Sequence, residues 1–524
     1  MRGRMTKKSR QPDLRPTVPN TIKTVPAPVG GWNARDALAA MPATDAVVMD
    51  NFYPSTGTVD LRPGRVEWAT GLSGSVKSLM AYNSLTTQKL FASTNTNIYD
   101  VTSSGVVGAA VSTCTSGKWE YRCFTNSGGS FLVMVNGVDK LKVYDGTTWK
   151  DIDGASTPAI TGITTSQITN INIFKRRIWF VKKDSLSAYY LAIDAFGGAA
   201  TEFPLGPVFS KGGYLVAQAN WTIDGGQGVD DYLISVTSEG ELAVYQGTDP
   251  SSATTFALVG TYDVGKPIGK KCFTKYGGDL IYLSKQGVFA LSKLLQSATL
   301  EKTKALSNKI DNAFKDAILN YGNVFGWSAR LHPTQSAVII NVPMAEDGDS
   351  VQFVMNDITR MWCRFTGWSA NVFEPFGTDI YSGTGSKVYK NWVGTVDGTT
   401  PITGKCQQAY LKVGPIESVV NLIRPNLQLQ GIITLQTAID TDFSLFNTQI
   451  DESFVTYGSG YSYWDSGVWD TATWSGGLTP ITNNWLTNAN SPGFSHSFRL
   501  QCTSSAAQVS WVSTDWAFQI GGIL

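Results

Sequence analysis

The chain has 524 residues, enough for two or three domains. Its 42 Lys and Arg against 41 Asp and Glu leave a net charge of +1, and only 16% of residues are charged, which gives no support to a sequence-reading nucleic-acid binder. No apolar run reaches the ~20 residues of a membrane helix, and the basic N-terminus lacks the apolar stretch of a secretory signal.

Residues 1–28 form a basic, proline-rich arm with Arg2, Arg4, Lys7, Lys8 and Arg10 near its start, Asp13 as its one acid, and five prolines. Such a segment builds no core of its own. It reads either as a solvated tail or as an arm that docks on a neighbouring subunit or near DNA phosphate.

Residues 29–72 come next. Thr44 or Asp45 is placed to cap a short helix over Ala46–Asn51, which Pro54 ends. Gly57 permits a turn, Thr58–Arg62 reads as a strand, and Pro63-Gly64 marks another turn. The strand is placed to complete a sheet formed mostly by later chain.

From 73 to 399 one pattern recurs. An apolar β run meets a polar or glycine turn, and a second run follows, often with Tyr or Phe. The copies are Lys89–Asp100, Ser130–Asp145, Arg177–Ile193, Asp231–Gln246, Asp279–Ser292, the looser Ser336–Asn356, and Asp379–Trp392. Their starts fall about 41 to 57 residues apart. Hairpins at that period predict a β-propeller or a related repeat array. One helix interrupts them, capped by Ser307, with Ile310, Ala313, Phe314, Ala317 and Ile318 on one face and an end at Asn320 or Gly322. It packs on a blade edge or lines an oligomer interface.

Residues 400–524 differ. Lys405–Val413 and Asn421–Ile439 read as longer strands, and Ser495–Cys502 with Gln508–Ile520 as a closing pair. Between them Trp464, Trp469 and Trp474 recur every five residues, which fits neither a helical face nor a strict strand. Three readings stand: a self-packed aromatic loop, an exposed patch for a partner protein, or a sugar-stacking platform. The predicted fold class is therefore all-β, a propeller-like array of hairpin blades plus a C-terminal β-rich platform or sandwich, with one inserted amphipathic helix. Few charges, many aromatics and 52 glycines suit that class and suit large protein interfaces.

Catalytic chemistry has little to work with. The two histidines, His332 and His496, lie far apart, and GxSxG, HExxH, Walker and GxGxxG motifs are missing. The six cysteines form no CxxC pair and read as isolated thiols of a reducing cytosol. The close acid pairs Asp45/Asp50, Asp139/Asp145 and Asp347/Asp349 read as turn caps. The expectation is no enzyme, no cofactor and no metal.

The segment Gly30–Arg65, with its Gly30-Gly31 pair, the run Asp45–Pro54 and the turn Leu61–Arg65, resembles the N-terminal signature of the tail nozzle family of short-tailed bacteriophages, also called tail tubular proteins B. The resemblance implies a β-propeller joined to a β-rich platform, a closed ring of six copies under the head-to-tail adaptor, attached fibres or spikes, and double-stranded DNA passing without sequence specificity. It implies a virion tail protein assembled in the host cytoplasm. Under it, hairpin tips are candidate channel or gate loops: Asn95, Thr96 and Asn97; Asn136 and Asp139; Glu239; and Lys285 with Gln286. Arg2, Arg4, Lys7, Lys8, Arg10, Trp464, Trp469 and Trp474 are candidate partner-binding residues. The alternative is a receptor-binding or fibre-docking tail protein on a similar scaffold, and a glycan hydrolase comes after that.

Overall fold

The computed structural model describes residues 20–224, 229–295, 302–444, 455–458, 479–481 and 485–521. Among them, seven small antiparallel blades follow one another around a ring, five as separate sheets and the sixth and seventh as the two ends of a larger sheet that runs through the sandwich. The first blade is Ser78–Asn83, Gln88–Ser93, Asn97–Asp100 and Ser112–Thr113. The second is Glu120–Asn126, Gly129–Val135, Leu141–Tyr144 and Trp149–Ile152. The third is Ile168–Phe174, Arg177–Lys182, Ser187–Tyr190 and Thr201–Pro204. The fourth is Leu215–Asp224, Val229–Thr237, Glu241–Gly247 and Phe256–Asp263. The fifth has three strands, Phe273–Tyr276, Asp279–Ser284 and Gly287–Ala290. The sixth is Ser328–Leu331, Ala337–Pro343, Ser350–Asn356 and Trp362–Phe365. The seventh is Val372–Phe376, Asp379–Thr384 and Lys387–Asn391, with Arg65–Thr70 from the N-terminal segment as its outer strand.

Each blade's inner edge packs beside the next, and the seventh packs against the first. The described chain builds a seven-bladed β-propeller, and every recurring hairpin is the second and third strands of one blade. Strand alternation builds its core, because successive side chains point to opposite faces. Leu79 and Ala81 join Val372 and Tyr381 of the seventh blade. Met80 and Tyr82, one residue further on in each case, join Leu132, Met134 and Tyr144 of the second.

The fifth blade's open edge is covered rather than paired, which removes a site for stray strand pairing. Ser307 Oγ accepts the Val288 N–H at 3.0 Å, and the Leu306 N–H donates to the Val288 carbonyl at 2.8 Å. Ser307 is thus bound to the blade and makes no cap bond to the helix. The helix spans Asp311–Tyr321, buries Phe314 and Ala317, and sets the Phe314 ring against Trp327 and Phe353. It packs on the edge of the fifth and sixth blades.

Residues 400–521, with strands from the N-terminal segment, fold into two facing sheets. One holds Ser418–Gln430 and Gln508–Ile520 at its centre, with Leu486–Gly493 and Thr479–Ile481 on one side. On the other side lie Thr21–Pro26 and Val59–Leu61, the latter paired outward with Phe52–Pro54. The second sheet runs Asp45–Asp50, Thr400–Gln408, His496–Ser504, Ile432–Thr441 and Val455–Gly458. Phe498 of the second sheet meets Trp511 and Trp516 of the first at 5.8 and 6.2 Å between ring centroids.

Two further expectations are corrected here. Residues 46–51 are not helical: Asp45–Asp50 is a strand held between Thr400–Gln408 and the parallel segment Gly31–Trp32, so long-range pairing overrides local propensity. Val59–Leu61 does complete a sheet formed mostly by later chain, beside Gln508–Ile520 in the sandwich, while Arg65–Thr70 closes the seventh blade. His496–Ser504 and Gln508–Ile520 do not pair with each other: they are successive strands of opposite sheets.

Segment 29–72 is therefore a seam between propeller and sandwich. A Cβ at Gly64 would lie 1.8 Å from the Val396 carbonyl oxygen, and one at Gly30 would lie 2.1 Å from Asp45 Oδ1, so close approach requires glycine at both places. The Asp45 carboxylate is buried and accepts Asn33 Nδ2 at 2.8 Å and Lys309 Nζ at 2.8 Å. Asp50 takes the Arg364 guanidinium in two bonds of 2.6 and 2.7 Å.

Candidate functional site

In a four-stranded meander, the turn between the second and third strands and the link to the next blade fall on one face. On that face seven blades converge on an axial mouth of about 630 Å³. Lys77, Lys118, Lys270 and Lys271 reach it from just ahead of the inner strands of the first, second and fifth blades. Lys183 and Lys285 reach it from hairpin turns of the third and fifth, and Lys266 from the link into the fifth. Seven lysines thus face three lining carboxylates, Glu120, Asp184 and Glu346, and the mouth is strongly basic in a chain of nearly balanced charge. Phe325, Trp327 and Tyr214 add aromatic wall.

Some of this charge is paired. Lys77, whose side chain is buried, bonds Glu346 at 2.9 Å and Asp347 at 2.6 Å. Lys118 bonds Glu346 at 2.7 Å and lies over the Phe325 ring at 4.4 Å. Their bonds hold the Glu346 carboxyl below the usual range against a smaller effect of burial. Lys266 bonds Glu239 at 2.7 Å. Lys183, Lys270, Lys271 and Lys285 make no ion pair among the described residues. Burial pushes the Lys270 and Lys271 ammonium groups below their ordinary value, with Glu120 acting against it. Below them, Glu374 accepts the Tyr121 hydroxyl at 2.7 Å and Arg330 Nη2 at 3.3 Å. Burial pulls the Arg330 guanidinium down, but Glu374, Tyr121 and Glu120 together hold it above its ordinary value.

All eight hairpin-tip candidates lie on this face, yet few line the mouth. Lys285 does, and Glu239 enters through Lys266. Asn136 and Asp139 are committed to a turn: Asn136 Nδ2 donates to the Ser116 carbonyl and to Asp139, which accepts the Thr115 and Ser116 N–H groups. Although burial raises the Asp139 carboxyl, its bonds from Thr115 and Asn136 win and hold it low. Asn97 closes the turn begun by Thr94, beside exposed Asn95 and Thr96. Gln286 has its N–H on Ser284 Oγ. Arg2, Arg4, Lys7, Lys8, Arg10, Trp464, Trp469 and Trp474 lie outside the described residues.

Apart from Lys285, the lysines of the mouth were the residues missed. A signal exists once blades are phased: lysine stands one to three residues ahead of an inner strand in Val76-Lys77-Ser78, Gly117-Lys118-Trp119 and Gly269-Lys270-Lys271.

Both histidines are buried away from the mouth. Among the described residues no group of His, Cys, Asp or Glu is arranged to hold a metal. His332, 3% exposed, packs on Trp392 at 5.3 Å, and its Nδ1 accepts the Thr334 N–H at 3.3 Å. Burial lowers its pKa from 6.5 to about 4, with Asp379 acting weakly upward. A folded value below the unfolded one means that the stabilisation is complete above pH 6.5 and is lost as pH falls through about 4. This group should cost ~2 kcal/mol of stability at pH 5 relative to pH 7. Urea curves of the wild type and His332→Asn at both pH values check it, and equal pH slopes would refute it.

No protein-family model matches the chain, and no curated protein does. Solved structures do. The β-propeller domain of Cps50 (Swd1) from Myceliophteria thermophila aligns with TM-score 0.40 at 12% identity, covering 62% of this chain and 99% of that one. BBS1N, solved in complex with ARL6DN, aligns with TM-score 0.38 at 9% identity, covering 63% and 97%. The extracellular domain of the hybrid two component system BT3049 from B. thetaiotaomicron aligns with TM-score 0.41 at 11% identity, covering 66% and 44%. The propeller itself is defined by the strand pairing and ring closure described above.

Proposed function

We propose that this protein is a structural component of a phage tail, the nozzle ring through which the genome leaves a short-tailed virion. One observation carries the reading. The residues that bear the resemblance, Gly30-Gly31, Asp45–Pro54 and Leu61–Arg65, are the seam that joins propeller to sandwich. The likeness thus falls on positions that determine architecture, and that architecture is the one the resemblance implies.

In this reading several copies, six by family likeness, close a ring through a heterologous contact, and DNA passes along the ring's axis. The propeller's own mouth is not the conduit: about 630 Å³ is the size of a ligand pocket, not of a passage for a duplex. An adaptor above and fibres or spikes outside are its partners, the virion tail its location, and no catalytic step is assigned. No helix among the described residues is long and apolar enough to cross a membrane.

Sedimentation with negative-stain imaging, with and without the adaptor ring, tests this. The expected result is a six-fold ring with a central hole, alone or on the adaptor. A trimer, or a lasting monomer that binds host glycan, would replace it with the receptor-binding reading.

A further inference from the structure

The chain segregates its charge. The mouth gathers seven lysines, whereas between Arg424 and Arg499 there is no lysine or arginine at all. That same stretch holds six acids, Asp440, Asp442, Asp451, Glu452, Asp465 and Asp470, with Trp464, Trp469 and Trp474 among them. We propose that the basic, aromatic-walled mouth of one copy is the receptor for the acidic, tryptophan-rich segment 442–474 of a second copy.

Three observations favour that occupant. Lys183, Lys270, Lys271 and Lys285 lack ion-pair partners among the described residues, so the mouth has cationic capacity to spare. Its rings, Phe325, Trp327 and Tyr214, suit an aromatic guest whose carboxylates meet the lysines. The described strand that leads into the segment also lies away from its own propeller. Counting out from the outer strand of the sixth blade, the order is Asp45–Asp50, Thr400–Gln408, His496–Ser504, then Ile432–Thr441, from which the segment departs. Four strand spacings put that strand ~19 Å beyond the blade's edge. The mouth is lined only by residues between 77 and 372, with nothing from the sandwich. The chain's own basic arm carries the same sign of charge as the mouth, and a duplex is too wide for a cavity of about 630 Å³.

A contact between two different patches, segment to mouth, is heterologous, and it makes a ring when the rotation between copies closes. The inference rests on the ring reading above for that last step only.

The test uses the full-length protein and a labelled synthetic peptide of residues 451–470. Lys183→Glu with Lys285→Glu alters two exposed hairpin turns, so the fold should be kept. The peptide should bind wild type in a salt-sensitive manner. Binding should fall about tenfold or more in the double variant and on replacing the peptide's four acids by their amides. Adding Asp465→Lys and Asp470→Lys to the double variant should restore assembly. Peptide bound equally by wild type and variant, or lost to neither amidation nor salt, overturns the proposal. So does a mouth that binds a short DNA duplex in preference to the peptide. If wild type forms no ring yet the peptide binds as expected, the ring reading fails and the contact stands. If rings survive charge reversal, the contact fails and the ring reading stands.

Discussion

Arg62→Ala should cost about 3–5 kcal/mol of stability, the cost of breaking a buried, hydrogen-bonded ion pair from one side. The Arg62 side chain is 1% exposed. Its two Nη atoms grip both oxygens of Asp397 at 3.0 and 2.5 Å, and they also donate to the Pro63 and Thr366 carbonyls. Nε donates to Asn51 Oδ1 at 2.8 Å, and the guanidinium lies over the Trp368 ring at 4.7 Å. One side chain thus ties the sandwich hairpin, the exit of the sixth blade and the strand that leaves the seventh. Alanine would leave Asp397 with the Trp368 indole N–H as its remaining described donor, plus carbonyls without partners. Arg62→Lys should rescue little, because an ammonium cannot reproduce the bidentate fork. Urea unfolding reads the loss, and Asp397→Asn in the Arg62→Ala background should add little to it. A loss below about 1 kcal/mol would refute the role.

Arg62 shows what was legible in the sequence and what was not. The turn Pro63-Gly64 is written locally, and so are the seven hairpins, because alternation and turn residues act over a dozen positions. Asp145 does cap a turn, as the spacing suggests, by accepting the Thr147 and Thr148 N–H groups, whereas the Asp139 carboxylate accepts the distant Thr115 and Ser116 N–H groups. Distant partners were not written locally. Ala69 pairs with Val388, and Asp50 pairs with Arg364 rather than capping a turn. The apparent helix at 46–51 failed for the same reason, since Val47-Val48 sit in a strand two of whose three partner strands lie more than 300 residues on. The mouth hides differently. Each of its lysines looks like an ordinary exposed lysine in its own blade, and only ring closure brings Lys118, Lys183, Lys270 and Lys285 to one axis.

The largest expected effect follows from the seam. Residues 400–524 on their own should not fold cooperatively, although they contain most of the sandwich. They would lack Thr21–Pro26 and Val59–Leu61 from one sheet and Asp45–Asp50 from the other. Phe52, Met49, Val59, Val25 and Ala46 are buried in the shared core, and Phe52 packs 6.4 Å from Trp511. At ~1.5–3 kcal/mol for each large side chain, their loss removes on the order of 10 kcal/mol. That is comparable with the whole stability of a typical domain. Nothing in 400–524 can refill the space, because Gly404, which faces Phe52 and Leu61, has no side chain to offer. Exposed tryptophan fluorescence, dye binding and a non-cooperative urea curve are the expected readouts. A cooperative transition with buried tryptophans would mean that the N-terminal strands decorate a self-sufficient domain. The rescue is equally specific. The Gly64 N–H donates to the Gly394 carbonyl at 2.9 Å and the Val393 N–H to the Gly64 carbonyl at 3.0 Å, so the two chain segments already touch. Residues 20–64 joined by a few glycines to 394–524 should regain a cooperative transition, because that join restores the missing strands and keeps Arg62 with Asp397.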